Sequence, residues 1–236
     1  MLRVEGLSAR EIGLGPFDLE VKRSLAVLGP NGSGQSLFLN ALVGMFAAQG
    51  RVSFHHYLLN RHSLQGQLLV GFLASPPDFE EHLSGFRWLD LIGGLYRLST
   101  KVRRERILAL ADDFGSNENL YRPLNGLSAA TRLRIGLMAA WLGEPRLLVL
   151  DQPTNFLDPQ AKEGLIERLA AHHNQGGVSV IATHDLVFAA AVADQFLFLA
   201  NGRDMAHGSL AELANLLQTR KNLEDCYRKL YYGQIK

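Results

Sequence analysis

Hydrophobic and polar positions alternate over residues 2–7 (LRVEGL) and again over 17–21 (FDLEV). That is the period-two pattern of half-exposed strands, and the two segments are expected to pair as antiparallel neighbours. Residues 24–28 (SLAVL) form a short continuous apolar run instead, as a parallel strand covered on both faces requires. Further runs of this buried kind lie at 68–73, 146–150, 178–183 and 195–199. Leu37, Phe38, Leu42, Val43 and Phe46 recur at helical spacing, which predicts a helix over 35–46. The stretch 84–142 is mostly helical in pattern, punctuated at 99–100, 115–117 and 123–126, with a returning helix over 129–142. Helices after Pro159 and after His184 supply the crossovers of a parallel sheet. The expected class is α/β: a mixed-sheet core, an antiparallel β subdomain and an inserted helical subdomain at about 76–142.

Composition narrows this little. The chain of 236 residues is long enough for one large domain, with 47% hydrophobic residues and a net charge of +1. So small a charge gives no field that argues for nucleic acid or an anionic membrane as the main partner. One cysteine, Cys226, excludes an internal disulfide and fits a reducing compartment. No signal peptide is evident, and no apolar run approaches the roughly 20 residues that span a bilayer. A cytoplasmic protein is expected, reaching a membrane only through partners.

The chemistry gathers at GPNGSGQS, residues 29–36. Gly29, Gly34 and Ser36 fit the phosphate-loop pattern G-x-x-x-x-G-K-[ST], but the lysine position holds Gln35. Strand, glycine-rich loop, then helix is the context in which backbone N–H groups at a helix N-terminus face an anion. The expected ligand contacts are Gly29, Pro30, Asn31, Gly32, Ser33, Gly34, Gln35, Ser36 and Leu37. The strand at 146–150 runs into a carboxylate, Asp151, and with Ser36 this makes a Mg²⁺-binding pair of the phosphate-loop type.

Residues 147–159 (LLVLDQPTNFLDP) and 180–186 (VIATHDL) resemble the Walker B, D-loop and H-loop of ATP-binding-cassette nucleotide-binding domains. The segment beginning LNGLSAATRLRIG occupies the place of that family's signature motif. Within the family, HLSGFRWLDLIGGLYRLS (82–99) looks most like the ATPase subunits of bacterial exporters. The resemblance extends from the first strand to about residue 217. It implies a cassette domain over 1–218 with a helical tail over 219–236. It also implies ATP and Mg²⁺ as ligands, a homo- or hetero-dimer with another cassette, and an integral-membrane permease as partner.

Residue by residue, the resemblance also implies losses. Gln35 replaces the lysine that meets the β- and γ-phosphates. Gln152 replaces the glutamate that acts as general base, and an amide cannot accept the water's proton at neutral pH. Ser75 stands where the Q-loop residue is expected. The signature LSGGQ reads Leu127-Ser128-Ala129-Ala130-Thr131, so two methyl groups intrude where glycines let a phosphate approach. No clear aromatic is available to stack on adenine, and Phe17 is a poor candidate. The loop glycines, Ser36, Ser128, Asp151, Asp158 and His184 survive, His184 at the position of the γ-phosphate-sensing histidine. Loss of one charge-assisted bond weakens triphosphate binding by about tenfold to a hundredfold. Loss of a general base slows reaction by about 10²–10⁴. The implied function is the cytoplasmic nucleotide-binding subunit of a transport complex with weakened ATP binding and little or no hydrolysis. A non-catalytic scaffold of a membrane assembly and an ordinary ATPase with artificially exchanged residues are the alternatives.

Four features outside the motifs have simple readings. His55-His56 and His172-His173 lack metal-ligand spacing and read as exposed loop histidines. The basic run 101–106 reads as a solvated helix face, or as a contact to a membrane partner. The apolar segment GFRWLDLIGGLY reads as core rather than groove. Leu223, Tyr227, Leu230 and Tyr231 share a helical face in the tail, which packs on the core or docks another subunit.

Overall fold

The computed structural model describes residues 1–60, 62–220 and 222–233. Two sheets and nine α-helices are formed among them. Strands β1 (Leu2–Ala9), β2 (Leu14–Val21), β4 (Gln49–Phe54) and β5 (Tyr57–Leu58) make an antiparallel sheet in the order β2-β1-β4-β5. Strands β3 (Ser24–Leu28), β6 (Val70–Leu73), β7 (Leu147–Asp151), β8 (Val178–Ala182), β9 (Gln195–Ala200) and β10 (Arg203–Ser209) form the central sheet, ordered β10-β9-β3-β8-β7-β6. Its pairings are parallel except for the β9–β10 hairpin.

The continuous apolar runs have a direct cause. Alternate residues of each central strand enter different cores, so both faces must be apolar. Leu25 and Val27 of β3, with Val149 of β7 and Leu197 of β9, join the core under the antiparallel sheet and helix α1 (Gln35–Leu42). Ala26, Leu28, Phe196 and Phe198 face the other way. They meet α7 (Leu186–Val192), α8 (Leu210–Leu217) and the tail helix α9 (Leu223–Tyr232). Leu148, Leu150 and Ile181 pack under α5 (Ala129–Leu142), α6 (Pro159–Asn174) and α7.

Between β4 and β7 lie the short α2 (Leu64–Gln67), then α3 (Gly85–Leu95) and α4 (Thr100–Asp113). Helices α3, α4 and α5 share a separate core of residues such as Trp88, Leu89, Ile107, Ile135 and Met138. Ser84, Ser99, Ser128, Asp158, Asp185 and Ser209 cap their helices through side-chain oxygens, which fixes six N-termini locally.

Several expectations are corrected. Helix α1 ends at Leu42 rather than 46, because Gly44 turns the backbone into the left-handed region at φ 76°. Strands β4, β5 and β10 add to those predicted. The basic run 101–106 is not simply solvated. Arg103 Nε donates to Asp90 Oδ1 at 2.6 Å and Arg106 pairs with Glu144 at 2.7 Å, tying α4 to its neighbours. His55 and His56 do lie in an exposed turn. His172 and His173, however, belong to the last turn of α6, and His173 is buried at 8% exposure beside the Ser179 hydroxyl at 2.8 Å. The tail face packs inward: Tyr231 donates its hydroxyl to Leu199 O at 2.8 Å and to Leu28 O at 3.4 Å.

Burial holds the His173 imidazole down at about 4, against an ordinary value of 6.5. The unfolded chain therefore binds a proton near pH 6.5 that the native chain refuses until about pH 4. Stability falls as pH drops through that window, by on the order of 3 kcal/mol for a shift of this size. His173→Gln keeps a partner for Ser179 and is expected to flatten the dependence, leaving the smaller slope from His172, which burial also lowers. Urea midpoints measured between pH 4 and 7 check this.

Candidate functional site

The centre of the site is the end of β3, where the chain leaves the sheet with no room for side chains. A Cβ on Gly29 would stand 2.5 Å from both Leu199 O and Ser33 Oγ. Gly34 has φ 103°, and a Cβ there would reach 3.0 Å from Gly202 Cα. The loop closes on itself through Ser33 N to Pro30 O at 3.0 Å. It is held from outside by Gly202 N donating to Ser33 O at 2.8 Å. Gly34 is also the N-cap of α1, and no side chain caps the helix. The first N–H groups of α1 are thus left to water or an anion, which the helix dipole favours.

Gln35 does not point at such an anion. It is 6% exposed, and its Nε2 donates to Val27 O at 2.9 Å and to Thr183 O at 3.4 Å. The amide therefore closes the floor between β3 and β8. Ser36, Leu37, Pro30, Asn31 and Gly32 are exposed, whereas Ser33 is buried with its hydroxyl unpartnered among the described residues. His184, just past β8, hydrogen-bonds through Nδ1 to Gly29 O at 3.1 Å. A carbonyl only accepts, so Nδ1 carries the hydrogen.

Asp151 is 3% exposed at the end of β7, and its Oδ1 has no hydrogen-bond partner among the described residues. Burial raises its pKa above the ordinary carboxylate value. The Ser36 hydroxyl, and then His184, pull it back. A buried carboxylate oxygen left without a donor, beside a hydroxyl, is a hard-oxygen set that fits a divalent cation. Among the described residues no group of three or more His, Cys, Asp or Glu could hold a metal, so a cation here would complete its shell with water and ligand oxygens. Gln152 follows at φ 50°, 8% exposed, its backbone N–H donating to Ala182 O at 2.9 Å.

The predicted residues thus fall into two groups. Gly29 to Ser36, Asp151 and His184 meet at the C-terminal ends of β3, β7 and β8. Ser128 and Asp158 are bonded elsewhere. Ser128 Oγ caps α5 and lies 2.9 Å from Thr131 Oγ1. Asp158 caps α6 through Ala161 N at 2.8 Å and takes Arg134 at 3.2 Å. Sequence reasoning missed Gly202, although Asn201-Gly202 is the strongest short hairpin signal. It also missed Phe156, 71% exposed with φ 63°.

A parallel sheet, a glycine-rich loop leading into an uncapped helix, and a carboxylate on a neighbouring strand end define a phosphate-loop nucleotide-binding protein of α/β type. The ABC transporter family model matches residues 16–155, more than half of the chain, and the chain belongs to that family. It is 32% identical over 199 residues to the molybdate/tungstate import ATP-binding protein WtpC of Archaeoglobus fulgidus, covering 83% of this chain and 82% of that one. It is 29% identical over 204 residues to the uncharacterized ABC transporter ATP-binding protein YxlF of Bacillus subtilis, covering 86% and 67%. The chain spans 57–68% of the length of four such relatives. A solved ATP-binding subunit of an ABC transporter superposes with a TM-score of 0.89 at 27% identity, over 97% of this chain and 98% of that one. A dimeric ATP-binding cassette bound to ADP and phosphate shares the fold, with a TM-score of 0.79 at 21% identity over 89% and 98%. No helix of the described residues is long and apolar enough to cross a membrane.

Asp151→Asn removes a buried charge whose pKa is raised. It is expected to raise the melting temperature of the ligand-free protein by a few degrees at pH 7. The gain shrinks at acid pH, where Asp151 is itself neutral and contributes its stability below its raised folded value. The same substitution is expected to abolish any shift produced by Mg²⁺ with nucleotide. Thermal melts at two pH values with and without these ligands measure both effects.

Proposed function

We propose that the chain is the nucleotide-binding cassette of an ABC-type membrane transport complex that binds ATP weakly and turns it over very slowly. Gln35 carries this reading: the side chain expected to meet the β- and γ-phosphates is uncharged and committed to Val27 O and Thr183 O. The loop N–H groups and the start of α1 would bind the phosphates. Ser36 and Asp151 would hold Mg²⁺, which neutralises phosphate charge when bound. Gln152 could orient a water but not take its proton. Ala129 and Ala130 add methyl groups where this chain's signature backbone would approach the nucleotide held by a second cassette, so a homodimer would pair two doubly altered sites. The expected location is the cytoplasmic face of the membrane, reached through the permease.

Helix α3 supports a permease contact. Trp88, Leu89 and Gly93 face the helical core, whereas Leu91 and Leu95 stand 52% and 67% exposed at i, i+4 spacing. Exchanging both for glutamate is expected to change the melting temperature by less than about 2 °C. It should also release the protein from the membrane fraction of its own cells. Unchanged membrane association would remove α3 as the contact.

Turnover by the purified chain is expected to lie at least a hundredfold below that of an ordinary cassette ATPase, and Gln152→Glu to raise it by about tenfold or more. A radiolabelled-phosphate assay decides. An ordinary wild-type rate, stimulated by a membrane partner, defeats the proposal.

A further inference from the structure

We infer that Tyr231, on the tail helix α9, is a positioning residue for the phosphate loop, and that docking of this helix is coupled to nucleotide affinity. The coupling to affinity rests on the nucleotide-binding reading of residues 29–36, whereas the hold on the loop itself does not.

Tyr231 reaches both strands from which the loop is hung. Its hydroxyl donates to Leu199 O on β9 at 2.8 Å and, over a longer distance of 3.4 Å, to Leu28 O on β3. Leu28 is the last residue of β3, and Gly29 follows it. Leu199 O is also the atom that a Cβ on Gly29 would meet at 2.5 Å. One carbonyl thus stands between the first residue of the loop and the tail hydroxyl. Three residues further on, Gly202 N donates to Ser33 O at 2.8 Å, and a Cβ on Gly34 would meet Gly202 Cα at 3.0 Å. The end of β9 and the turn after it form the wall against which the loop is set, and Tyr231 ties that wall to β3. A backbone cradle holds phosphate only while its N–H groups converge, so a small movement of the wall is felt in affinity.

Packing puts the hydroxyl in place. Helix α9 rests on the central sheet through buried Leu223 and Cys226. The rings of Tyr227 and Tyr231 each lie 6.3 Å from that of Phe198 and 4.6 Å from one another. Burial, and then Tyr227, raise the pKa of the Tyr231 phenol, so the group keeps the hydrogen it donates. On the other side of the helix Tyr232 is 68% exposed, and Arg228 pairs with Glu224 along the helix itself at 2.6 Å. A terminal helix attached by one face opens at lower cost than the sheet beneath it. When α9 parts from the sheet, the loop loses the tie between its two walls.

Tyr231→Phe in the whole chain keeps the ring and removes the hydroxyl, and Tyr227→Phe, on the same face, is the control. Mg²⁺–ATP is titrated calorimetrically at a temperature where melting curves show each protein to be folded. Tyr231→Phe is expected to bind about threefold to tenfold more weakly than wild type, as loss of one hydrogen bond implies, and Tyr227→Phe to stay within about twofold. In the ligand-free chain, amide hydrogen exchange at Ser33 and Gly202 is expected to quicken in Tyr231→Phe by a similar factor. A hydroxyl with a merely structural role would lower the melting temperature and leave the affinity of the folded protein and these two amides unchanged. That result in either readout, or an equal loss in both variants, overturns the inference. If wild type binds no Mg²⁺–ATP at millimolar concentration, the nucleotide-site reading falls, and exchange at Ser33 and Gly202 decides on the hold of Tyr231 by itself. If Tyr231→Phe does not fold, the wild-type protein decides. Coupling is reciprocal, so saturating Mg²⁺–ATP is expected to slow amide exchange in α9 by about threefold or more, and unchanged exchange overturns the inference.

Discussion

The carbonyl of Val27 accepts two hydrogen bonds, and the arrangement of the site depends on it. One comes from Thr183 N at 3.2 Å, where the β3–β8 pairing ends, and the other from the Gln35 amide at 2.9 Å. The first bond sets the level at which β3 and β8 finish, and so places His184 beside Gly29. The second pulls the first residue of α1 down onto the sheet. Between these two anchors the chain has only residues 28–34 in which to reverse, which leaves no space at Gly29 or Gly34 for a Cβ. The β9–β10 turn then closes the loop from the side through Gly202.

An amide suits that floor better than an ammonium does in a site without ligand. A buried, hydrogen-bonded amide carries little net cost, whereas a desolvated charge needs an opposite charge close by. A lysine at position 35 would look to Asp151 or to a phosphate. Gln35 needs neither, because two backbone carbonyls satisfy it, each such bond contributing about 1 kcal/mol net. The loop is therefore at rest with its ligand absent, and no polyphosphate charge is required to assemble it.

Most of the fold was legible because its cause is local or periodic. The apolar runs of β3, β7, β8 and β9 alternate between two cores, and α5 begins and ends where its serine cap and apolar spacing put it. Strand β4 (QGRVSF) carries Arg51 and two polar residues at an exposed sheet position, so its pattern hides its pairing with β1. Strand β10 (RDMAHGS) is largely solvent-facing and is fixed by the Asn201-Gly202 turn, not by hydrophobicity. That Gly29 to Ser36, Asp151 and His184 come together at the strand ends was readable from motif spacing. Their hydrogen-bond commitments were not, because the partners of Gln35 and His184 are backbone carbonyls, which leave no mark in a sequence. His173 is the converse case: a polar residue read as exposed is buried by a tertiary contact with β8.

Loop shape alone is weak ground for assigning a ligand. Gly29 and Gly34 are required by packing against β9 and the turn after it, and Gln35 is bonded at the ends of β3 and β8, so none of the three needs a nucleotide to account for it. Other features cost stability that the fold does not recover by itself. Asp151 buries a charge and leaves Oδ1 unpartnered, Ser33 leaves a hydroxyl unpartnered, and Gln152 holds a left-handed backbone. Unsatisfied groups of this kind cost about 1–3 kcal/mol each, and a non-glycine residue in left-handed backbone about as much again. A cation between Asp151 and Ser36 with a phosphate at the α1 N-terminus would offset the first directly. What the ligand-free chain leaves unsatisfied at Asp151 is therefore what a Mg²⁺-linked phosphate would satisfy. Gln35 is the contrary case, since the ligand-free chain already takes up both hydrogens of its amide.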